Sequence, residues 1–420
     1  MKILIYGLNF APEPTGIGKY TGEFANWLAE HGHVVEVLCG QPHYPQWQLQ
    51  PGFSNNYRVE RPRPNLTIRR IPHYIPGVAE LSARARIRLE TTFNLGALRW
   101  WLPVLFARPR FDLVVTICPP TQTVGLPWIY SKLRGVPWLL WIQDFQLDAA
   151  IKLGMLRGSR LARALYGLER FFITRASYVA SISGPMCRLA IAKGAAPAQV
   201  IELPNWSNIE LIDPKRRDLD YRNEMGLSEQ DFVVVYSGAM GEKQGLGLIL
   251  ESAEALKSTR QIRFIIAGDG PARAGLEADA AQRGLDNVKF IGVQPLAAFL
   301  SLLAISDVQL VIQKEAAADL VMPSKLTNIL AAGRVCIATA PPGSAIADVL
   351  ERAQAGIVVM PDQAEGLTSA IRQLLDQPSL RESMGRNARK YAEAFLDRDA
   401  ILRRLIERLE SEFSAIRTNK

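Results

Sequence analysis

Short apolar runs alternate with amphipathic stretches along the whole chain, and this alternation limits the folds open to it. In the first half the apolar runs are KILIYGL, HVVEVLCG, FDLVVTICPP, WLLWIQD and SYVASISG, with helical periodicity between them. The second half repeats the scheme with FVVVYSG, IRFIIAGDG, VKFIGV, DVQLVIQK, VCIATA and AGIVVM. Strands rich in valine and isoleucine that alternate with helices form parallel sheets covered on both faces. The pattern predicts an α/β protein with two doubly wound, Rossmann-like domains that face a central cleft.

The length of the chain also argues for two domains. With 420 residues, the chain is longer than chains that fold around a single hydrophobic core. A polar, proline-containing stretch, WSNIELIDPKRRDLDYRNEMG, separates the two halves. We expect an N-terminal domain at 1–205, a C-terminal domain at 206–385, and C-terminal helices at 386–420 that pack back on the N-terminal domain.

The positive charge is concentrated in the first half. The chain carries a net charge of +8, but residues 1–204 hold 23 Lys or Arg against 12 Asp or Glu, while the remainder holds 26 against 29. Residues 58–110 alone contain eleven arginines, no lysine and three glutamates. This asymmetry predicts an anionic partner for the first domain only.

Cysteines, histidines and apolar runs indicate a cytoplasmic protein without a metal. The four cysteines lie far apart and the four histidines lack a ligand-like spacing, which excludes a disulfide framework and a catalytic metal site. The longest apolar runs, such as WWLPVLFA, fall well short of the ~20 residues of a membrane span, and ILIYGL is too short for a signal-peptide core.

Ligands of open α/β sheets bind beyond the carboxyl ends of the strands, so the residues after each strand are the candidates for a site. After the first strand, Gly16 and Gly18 precede a helix where backbone could approach an anion or a sugar closely. The spacing to Gly22 is one residue off the dinucleotide fingerprint, so a nicotinamide site is excluded and a plain strand-to-helix turn remains the alternative.

Two lysines follow strands of the second half. Lys243 comes after the loop of Gly238 and Gly241, which resembles a phosphate-binding loop but lacks the GK[ST] ending. Lys325, in MPSKLTNILAAG, falls in the first turn of a predicted helix, where the macrodipole disfavours a cation by roughly 0.3–1 kcal/mol. Each lysine alone could be a solvated side chain, but together they suit a diphosphate. The pair Gly268 and Gly270, by contrast, predicts only a tight structural turn.

An acid follows one strongly apolar strand of the first half. In WIQDFQLDAA, Asp144 could accept a hydroxyl proton or orient a sugar, and it could equally cap the following helix. Both interpretations stay open.

The stretch from 76 to 106 resembles a membrane-interfacial surface, because apolar residues there accompany arginine and tryptophan. A helical pair with a solvated basic face is the alternative. No nucleic-acid-binding motif occurs in the chain. The expected membrane contacts are Arg84, Arg86, Arg88, Arg99, Trp100 and Trp101.

Several longer blocks resemble a known family over nearly the whole chain: TGIGKYTGE, PHYPQW, WIQDFQLDA, LPNWSN, YSGAMGEKQGL and QKEAAADLVMPSKLTNILAAG. They are similar to the retaining GT-B glycosyltransferases of family 4, also called group 1, and most similar to the colanic-acid and exopolysaccharide fucosyltransferase branch. The resemblance implies a nucleotide-diphosphate sugar on the second domain and the acceptor on the first. It further implies a donor diphosphate held by Lys243, Ser324 and Lys325 and a base contact at Val293. At Gly16 and Gly18 it implies that backbone approaches donor or acceptor near the reacting carbon, and the loop of Gly238 is a further candidate for donor binding.

The chain departs from the family pattern at three positions. Asn328 stands where the family carries the second of two glutamates, and eight positions earlier is Leu320, so Asp319 beside it is the substitute we assign to the first. Gln143 replaces the usual histidine of the first domain. Asn328 can still hydrogen-bond a ribose hydroxyl, but it carries no charge.

The resemblance and the residues together predict metal-independent sugar transfer to a hydroxyl with retention, without a cofactor other than the nucleotide-sugar substrate. The branch favours a GDP-sugar, with fucose as the sugar, and a polyprenyl-diphosphate-linked glycan as acceptor. The enzyme would then be attached peripherally to the inner face of the plasma membrane. A nucleotide-sugar 2-epimerase and a non-catalytic sugar-nucleotide-binding subunit are the alternatives.

Overall fold

The computed structural model describes residues 1–14, 16–77, 80, 82–148, 160–315 and 324–418. The chain divides into two compact units, Met1–Pro204 and Asn205–Lys420.

The first unit is built on an eight-stranded sheet with the order β3-β4-β2-β1-β5-β6-β7-β8. All neighbours are parallel except β3, which runs antiparallel to β4 at one edge. The central strands are buried along their whole length, as a sheet covered on both faces requires. The strands are β1 (Lys2–Gly7), β2 (Val34–Gly40), β3 (Arg58–Arg63), β4 (Leu66–Ile71), β5 (Leu113–Cys118), β6 (Trp138–Ile142), β7 (Tyr178–Ser181) and β8 (Val200–Glu202).

Helices connect these strands. The described helices of the first unit are α1 (Gly16–Glu30), α2 (Ala83–Phe106), α3 (Gly125–Arg134), α4 (Arg160–Ile173) and α5 (Gly184–Ala192). Serine side chains cap two of them, because Ser82 accepts a hydrogen bond from the backbone N–H of Ala85, and Ser183 from that of Met186.

The second unit carries a six-stranded, wholly parallel sheet with the order β11-β10-β9-β12-β13-β14. Its strands are β9 (Phe232–Ser237), β10 (Ile262–Ala267), β11 (Val288–Ile291), β12 (Val308–Val311), β13 (Val335–Thr339) and β14 (Gly356–Val359). Its described helices are α6 (Leu219–Glu224), α7 (Gly247–Ala255), α8 (Arg273–Gln282), α9 (Leu296–Ile305), α10 (Ser324–Ala331), α11 (Ala345–Ala353), α12 (Ala364–Asp376), α13 (Pro378–Phe395) and α14 (Arg398–Thr418).

Both sheets contain a topological switch point, where successive strands are added in opposite directions. It lies between β1 and β5 in the first sheet and between β9 and β12 in the second. Ligands of such sheets bind at the carboxyl ends of the two strands that flank the switch. These two places are therefore the candidate ligand-binding sites of the two units.

The last helix, α14, belongs to the second unit, and Leu402, Leu405 and Leu409 on it are buried. The expectation that residues 386–420 pack on the first domain stays a prediction. Among the described residues, no helix is both long and apolar enough to cross a membrane.

Candidate active site

The loops after β9 and β10 are joined by their backbones at the switch point of the second sheet. Gly238 donates to the carbonyl of Ala267 at 2.9 Å, and Met240 donates to that of Asp269 at 2.9 Å. A Cβ on Gly268 would lie 1.9 Å from the carbonyl oxygen of Gly238, so no side chain fits between the loops. Gly268 thus has a structural role, because only a glycine allows this close approach of the two loops.

Lys325 lies at this switch point with its ammonium above an aromatic ring. Helix α10 begins at Ser324, so Lys325 occupies the first turn, as the sequence predicts. Its Nζ is 3.9 Å from the ring centroid of Tyr236, the fifth residue of β9. A Cβ on Gly238 would lie 3.2 Å from the same Nζ. The absence of a side chain at Gly238 therefore leaves the room that the lysine occupies.

The electrostatic environment of Lys325 disfavours its own charge. Burial lowers the pKa of the lysine from 10.5 to about 7, and the nearby Cys336 opposes this only in part. Within the described part of the chain, no carboxylate forms an ion pair with Lys325. An anion bound here would restore a full positive charge, which makes the site suited to a phosphate group.

Gln313 and Lys314, which sequence reasoning did not single out, also lie at this edge. Both follow β12, and the backbone of Gln313 is held by two 2.8 Å hydrogen bonds with the hydroxyl of Thr339. The Nε2 of Gln313 is buried and has no acceptor among the described residues. The position just past a buried strand was the available signal. A buried donor of this kind at a switch point is suited to a ligand oxygen.

The loop of Lys243 is positioned through its neighbour. Lys243 is the middle residue of a short 3₁₀ helix, Glu242–Gln244, and Lys314 forms an ion pair with Glu242. Gly245 ends this turn in the left-handed region, with φ of +63°. An exposed ion pair thus links the turn that contains Lys243 to the end of β12. Three predicted features, namely the side chains of Lys243 and Ser324 and the whole of Asp319, lie outside the described residues.

Two further predicted donor residues have separate environments. Asn328, on α10, accepts a 2.8 Å hydrogen bond at its Oδ1 from the hydroxyl of Ser207. The side-chain oxygen of Asn328 is therefore used within the protein. A hydrogen bond from its Nδ2 to a ribose hydroxyl stays a prediction. Val293 is 74% exposed after β11, so its side chain is open to a ligand.

A buried carboxylate organises the switch point of the first sheet, and sequence reasoning missed it. Glu13 accepts 3.1 Å hydrogen bonds from the backbone N–H groups of His43 and Tyr44, and a 2.9 Å bond from the amide of Asn9. Burial raises the pKa of its carboxyl, against these bonds and the nearby His43, which lower it. The loops after β1 and β2 are therefore joined through one side chain. The signal was an acid within the Pro- and Gly-rich segment APEPTG.

The same carboxylate occupies the space beside Gly18. A Cβ at Gly18 would lie 2.4 Å from Oε2 of Glu13, so the missing side chain makes room for Glu13. The backbone approach to a ligand expected at Gly18 stays a prediction. Gly16 differs, because its φ of +62° lies in the left-handed region and the nearest atom to an added Cβ is a Tyr44 ring carbon at 3.7 Å. The space beside Gly16 remains open to a substrate.

Gln143 and Asp144 lie just after β6, as expected. Gln143 is buried, and its Nε2 has no acceptor among the residues described. Asp144 is half-buried, and helical residues begin two positions later at Gln146. A buried amide donor thus replaces the family's histidine at this strand end.

Helix α2 presents basic and apolar side chains to solvent, with one correction to the predicted surface. Trp101 is only 5% exposed and packs edge-on against Tyr6, so it is a core residue and not a membrane contact. Trp100 is half-buried beneath the guanidinium of Arg69, 4.7 Å from its ring centroid. The predicted arginines, Arg84, Arg86, Arg88 and Arg99, are exposed. The most exposed apolar side chains of α2 are Leu95 (62%), Leu102 (60%) and Phe106 (74%).

No group of three or more His, Cys, Asp or Glu among the described residues could hold a metal ion, and Cys39, Cys118, Cys187 and Cys336 are all buried free thiols. His43 and His73 are buried with their rings 5.1 Å apart, and burial together with His43 lowers the pKa of His73 to about 3. His73 is therefore a neutral core residue.

Comparisons with known proteins match one family model to each of the two units. Residues 15–206 match the glycosyl transferase 4-like domain, and residues 218–391 match the glycosyl transferases group 1. The chain is 38% identical over 416 residues to the colanic acid biosynthesis glycosyl transferase WcaI of Escherichia coli (strain K12). The alignment covers 97% of this chain and 99% of that relative.

Solved structures show the fold. Sucrose-phosphate synthase from Thermosynechococcus elongatus superposes with a TM-score of 0.73 at 17% identity and covers 99% of this chain and 100% of its own. HepE of Anabaena, solved in complex with UDP, superposes with a TM-score of 0.67 at 16% identity and covers 98% of this chain and 100% of its own. The predicted fold class is confirmed. The chain belongs to the group 1 glycosyltransferases and has their GT-B fold.

Proposed function

We propose that this glycosyltransferase moves a sugar, with retention of anomeric configuration, from a nucleotide-diphosphate donor on the second unit to an acceptor on the first. The observation that carries the proposal is Lys325, an ammonium at a helix start whose charge is disfavoured until an anion binds. The donor diphosphate supplies that anion. The relative HepE, crystallised with UDP, supports a nucleotide ligand in this fold.

The reaction needs stabilisation of the departing diphosphate more than it needs a strong base. As the bond from the anomeric carbon to the phosphate oxygen breaks, negative charge grows on the leaving group. Lys325, Lys243 and the free N–H groups at the start of α10 would stabilise that charge. The acceptor oxygen bonds to the same face of the anomeric carbon, and its proton passes to the leaving phosphate oxygen.

Three further groups have roles in the proposal. The buried Nε2 donors of Gln143 and Gln313 would bind sugar or phosphate oxygens, since both lack acceptors among the described residues. Asp144 would orient the acceptor hydroxyl. None of these roles requires a metal ion, and addition of EDTA is expected to leave the rate unchanged.

The acceptor we propose is a glycan on polyprenyl diphosphate, used for an exopolysaccharide. The similarity to the colanic acid enzyme supports this class, and the branch resemblance favours GDP-fucose as donor. The exposed arginines and leucines of α2 would hold the first unit at the inner face of the plasma membrane.

A transfer assay tests the function directly. The protein is incubated with GDP-, UDP- and dTDP-sugars and a polyprenyl-diphosphate-linked glycan, and the anomeric configuration of the product is determined by NMR. Transfer with retention supports the proposal, and inversion contradicts the mechanism. An epimerised nucleotide sugar formed without acceptor would indicate the epimerase, whereas donor binding without transfer to any acceptor would indicate a non-catalytic subunit.

Vesicle flotation at low salt tests the membrane contact separately. Binding to anionic vesicles is expected for the wild type and lost in Leu95→Glu/Leu102→Glu. The matched control is Leu211→Glu/Phe395→Glu, which adds the same charge at exposed apolar positions of the second unit (47% and 51% exposed). Equal flotation of both variants, or no flotation of the wild type, contradicts this part of the proposal.

A further inference from the structure

A second polar cavity lies in the second unit, away from the donor loops. It has a volume of about 810 Å³ and is lined at one side by residues just before β9, β12 and β13, and at the other by α6 and by residues 381–390 of α13. These are the amino ends of the strands, whereas Gly238 and Lys325 lie at the carboxyl ends. The length of a six-residue strand, about 20 Å, separates the two edges of the sheet. The cavity is therefore distinct from the donor site, and its size is that of a small-molecule pocket.

The walls of this cavity carry more positive than negative side chains. Its lining contains eight lysines and arginines against five aspartates and glutamates. Most of the acids are engaged by the protein: Asp218 caps α6 and pairs with Arg216 at 2.6 Å, and Asp307 accepts a 2.9 Å bond from the backbone of Val233. Arg222, Arg381 and Arg389 likewise donate to backbone carbonyls. The positive charge left for a ligand is therefore that of Lys215, Arg217, Arg334 and Lys390.

Arg334 is the lining residue best suited to bind an anion. It follows Gly333, whose φ of +62° ends α10, and its Nη2 donates to the carbonyl of Ala304 at 2.9 Å. Its Nε is buried and has no acceptor within the described residues. Burial and the charge of Arg217 lower the pKa of Arg334 to about 10. The Nε–H of this guanidinium can therefore donate a charge-assisted hydrogen bond to a phosphate oxygen.

Three exposed cationic side chains share this cavity with the Arg334 guanidinium. Lys215, Arg217 and Lys390 line the same cavity. In the described ranges, none of the three forms an ion pair with a carboxylate. We infer that this cavity is an anion-binding site for a small molecule that carries a phosphate group, with Arg334 at its base and Arg217 and Lys390 at its rim.

Thermal unfolding with inorganic phosphate tests the inference. The full chain is titrated with potassium phosphate against potassium chloride at equal ionic strength. The test variant is Arg217→Glu/Lys390→Glu, which changes two exposed side chains and leaves Arg334 in place. The matched control is Lys257→Glu/Arg260→Glu, an equal charge change on the same unit outside the cavity. A third variant, Lys325→Met, removes the donor lysine.

Phosphate also stabilises proteins through its exclusion from their surface, an effect that all variants share. Binding in the cavity therefore appears as a difference between variants. At saturation the wild type and Lys257→Glu/Arg260→Glu are expected to gain about 2–4 °C more in Tm than Arg217→Glu/Lys390→Glu. Lys325→Met loses any phosphate binding at the donor lysine and is expected to keep the part of the gain that depends on the cavity. An equal gain in all four proteins, or a gain lost only in Lys325→Met, would overturn the inference.

Discussion

The Nζ of Lys325 lies 3.9 Å from the centroid of the Tyr236 ring, at the switch point of the second sheet. A lysine in the first helical turn costs roughly 0.3–1 kcal/mol, and a cation above an aromatic ring returns about 0.5–2 kcal/mol. The two effects are similar in size, so the ring lets the protein keep this lysine before a ligand binds. The charge itself is still disfavoured by burial, which leaves Lys325 ready for an anion.

The stability of the ligand-free protein is expected to reveal this burial. The pKa of Lys325 in the folded protein, about 7, lies below its ordinary value of 10.5. The unfolded chain therefore binds more protons between these two pH values, and the wild type gains stability as the pH rises through that window. Lys325→Met, which keeps the length of the side chain, lacks this gain. In urea unfolding, the advantage of Lys325→Met over the wild type should be largest at pH 6 and shrink towards pH 10.

The exposed Lys257, replaced by Met, is the control for that comparison, and its stability difference from the wild type should not depend on pH in the same window. A constant difference between Lys325→Met and the wild type from pH 6 to pH 10 would contradict the burial argument.

Substitution of Gly268 tests the contact between the donor loops. An added Cβ would lie 1.9 Å from the carbonyl oxygen of Gly238, so Gly268→Ala must move the loop. We expect a loss of about 1–3 kcal/mol in the free energy of unfolding and weaker donor binding in calorimetry. Gly275→Ala is the matched control, because nothing lies within 4 Å of its added Cβ on α8. Alanine there should stabilise the helix by about 0.5–1 kcal/mol. If both variants unfold alike, the loops are not as closely packed as described.

Glu13 and Gly18 are expected to behave as one unit. Glu13→Ala leaves the backbone N–H groups of His43 and Tyr44 without their acceptor, which costs about 1–3 kcal/mol for a buried donor. Gly18→Ala displaces the same carboxylate and should have a similar effect. Both should slow transfer to the acceptor while the donor Kd stays unchanged, because Glu13 lies in the first unit.

Glu13→Gln keeps an oxygen that can accept both N–H bonds, and should be milder than Glu13→Ala. Gly125→Ala is the glycine control, since its added Cβ meets nothing within 4 Å. A fall in donor affinity in Gly18→Ala, with transfer otherwise normal, would argue against an acceptor-side role.

The fold could be predicted because the inner strands of the two sheets are buried on both faces, whereas the edge strand β3 is exposed and shows no apolar run. The inner strands appear as apolar runs, and the helices between them as periodic stretches, so the parallel sheets follow from local pattern. The first unit ends at Pro204, beside the predicted boundary at 205. Lys325 could also be placed from the sequence, because a proline, a serine and the apolar period mark the helix start.

Contacts between distant segments could not be predicted in the same way. Glu13 meets His43 across 30 residues, and neither position shows a periodic signal that links them. Trp101 is adjacent to Trp100, yet it faces the core while its neighbour lies under Arg69, because consecutive residues of a helix point about 100° apart. Both tryptophans were predicted to lie on one surface, because the sequence does not show which side of the helix faces the core. That the Nε2 of Gln313 has no acceptor among the described residues likewise depends on which atoms surround it in space.

The central claim is that a donor diphosphate supplies the charge that Lys325 lacks, and proton uptake on donor binding tests it most directly. Calorimetric titration of the nucleotide sugar at pH 8.5, in two buffers of different ionisation enthalpy, gives the number of protons taken up. A nucleotide sugar is used because its diphosphate has no group that titrates near this pH. The account predicts uptake of nearly one proton per donor in the wild type, little uptake at pH 6, and none in Lys325→Met, which also binds donor about 10–100-fold more weakly. Donor binding to the wild type at pH 8.5 without proton uptake would contradict it.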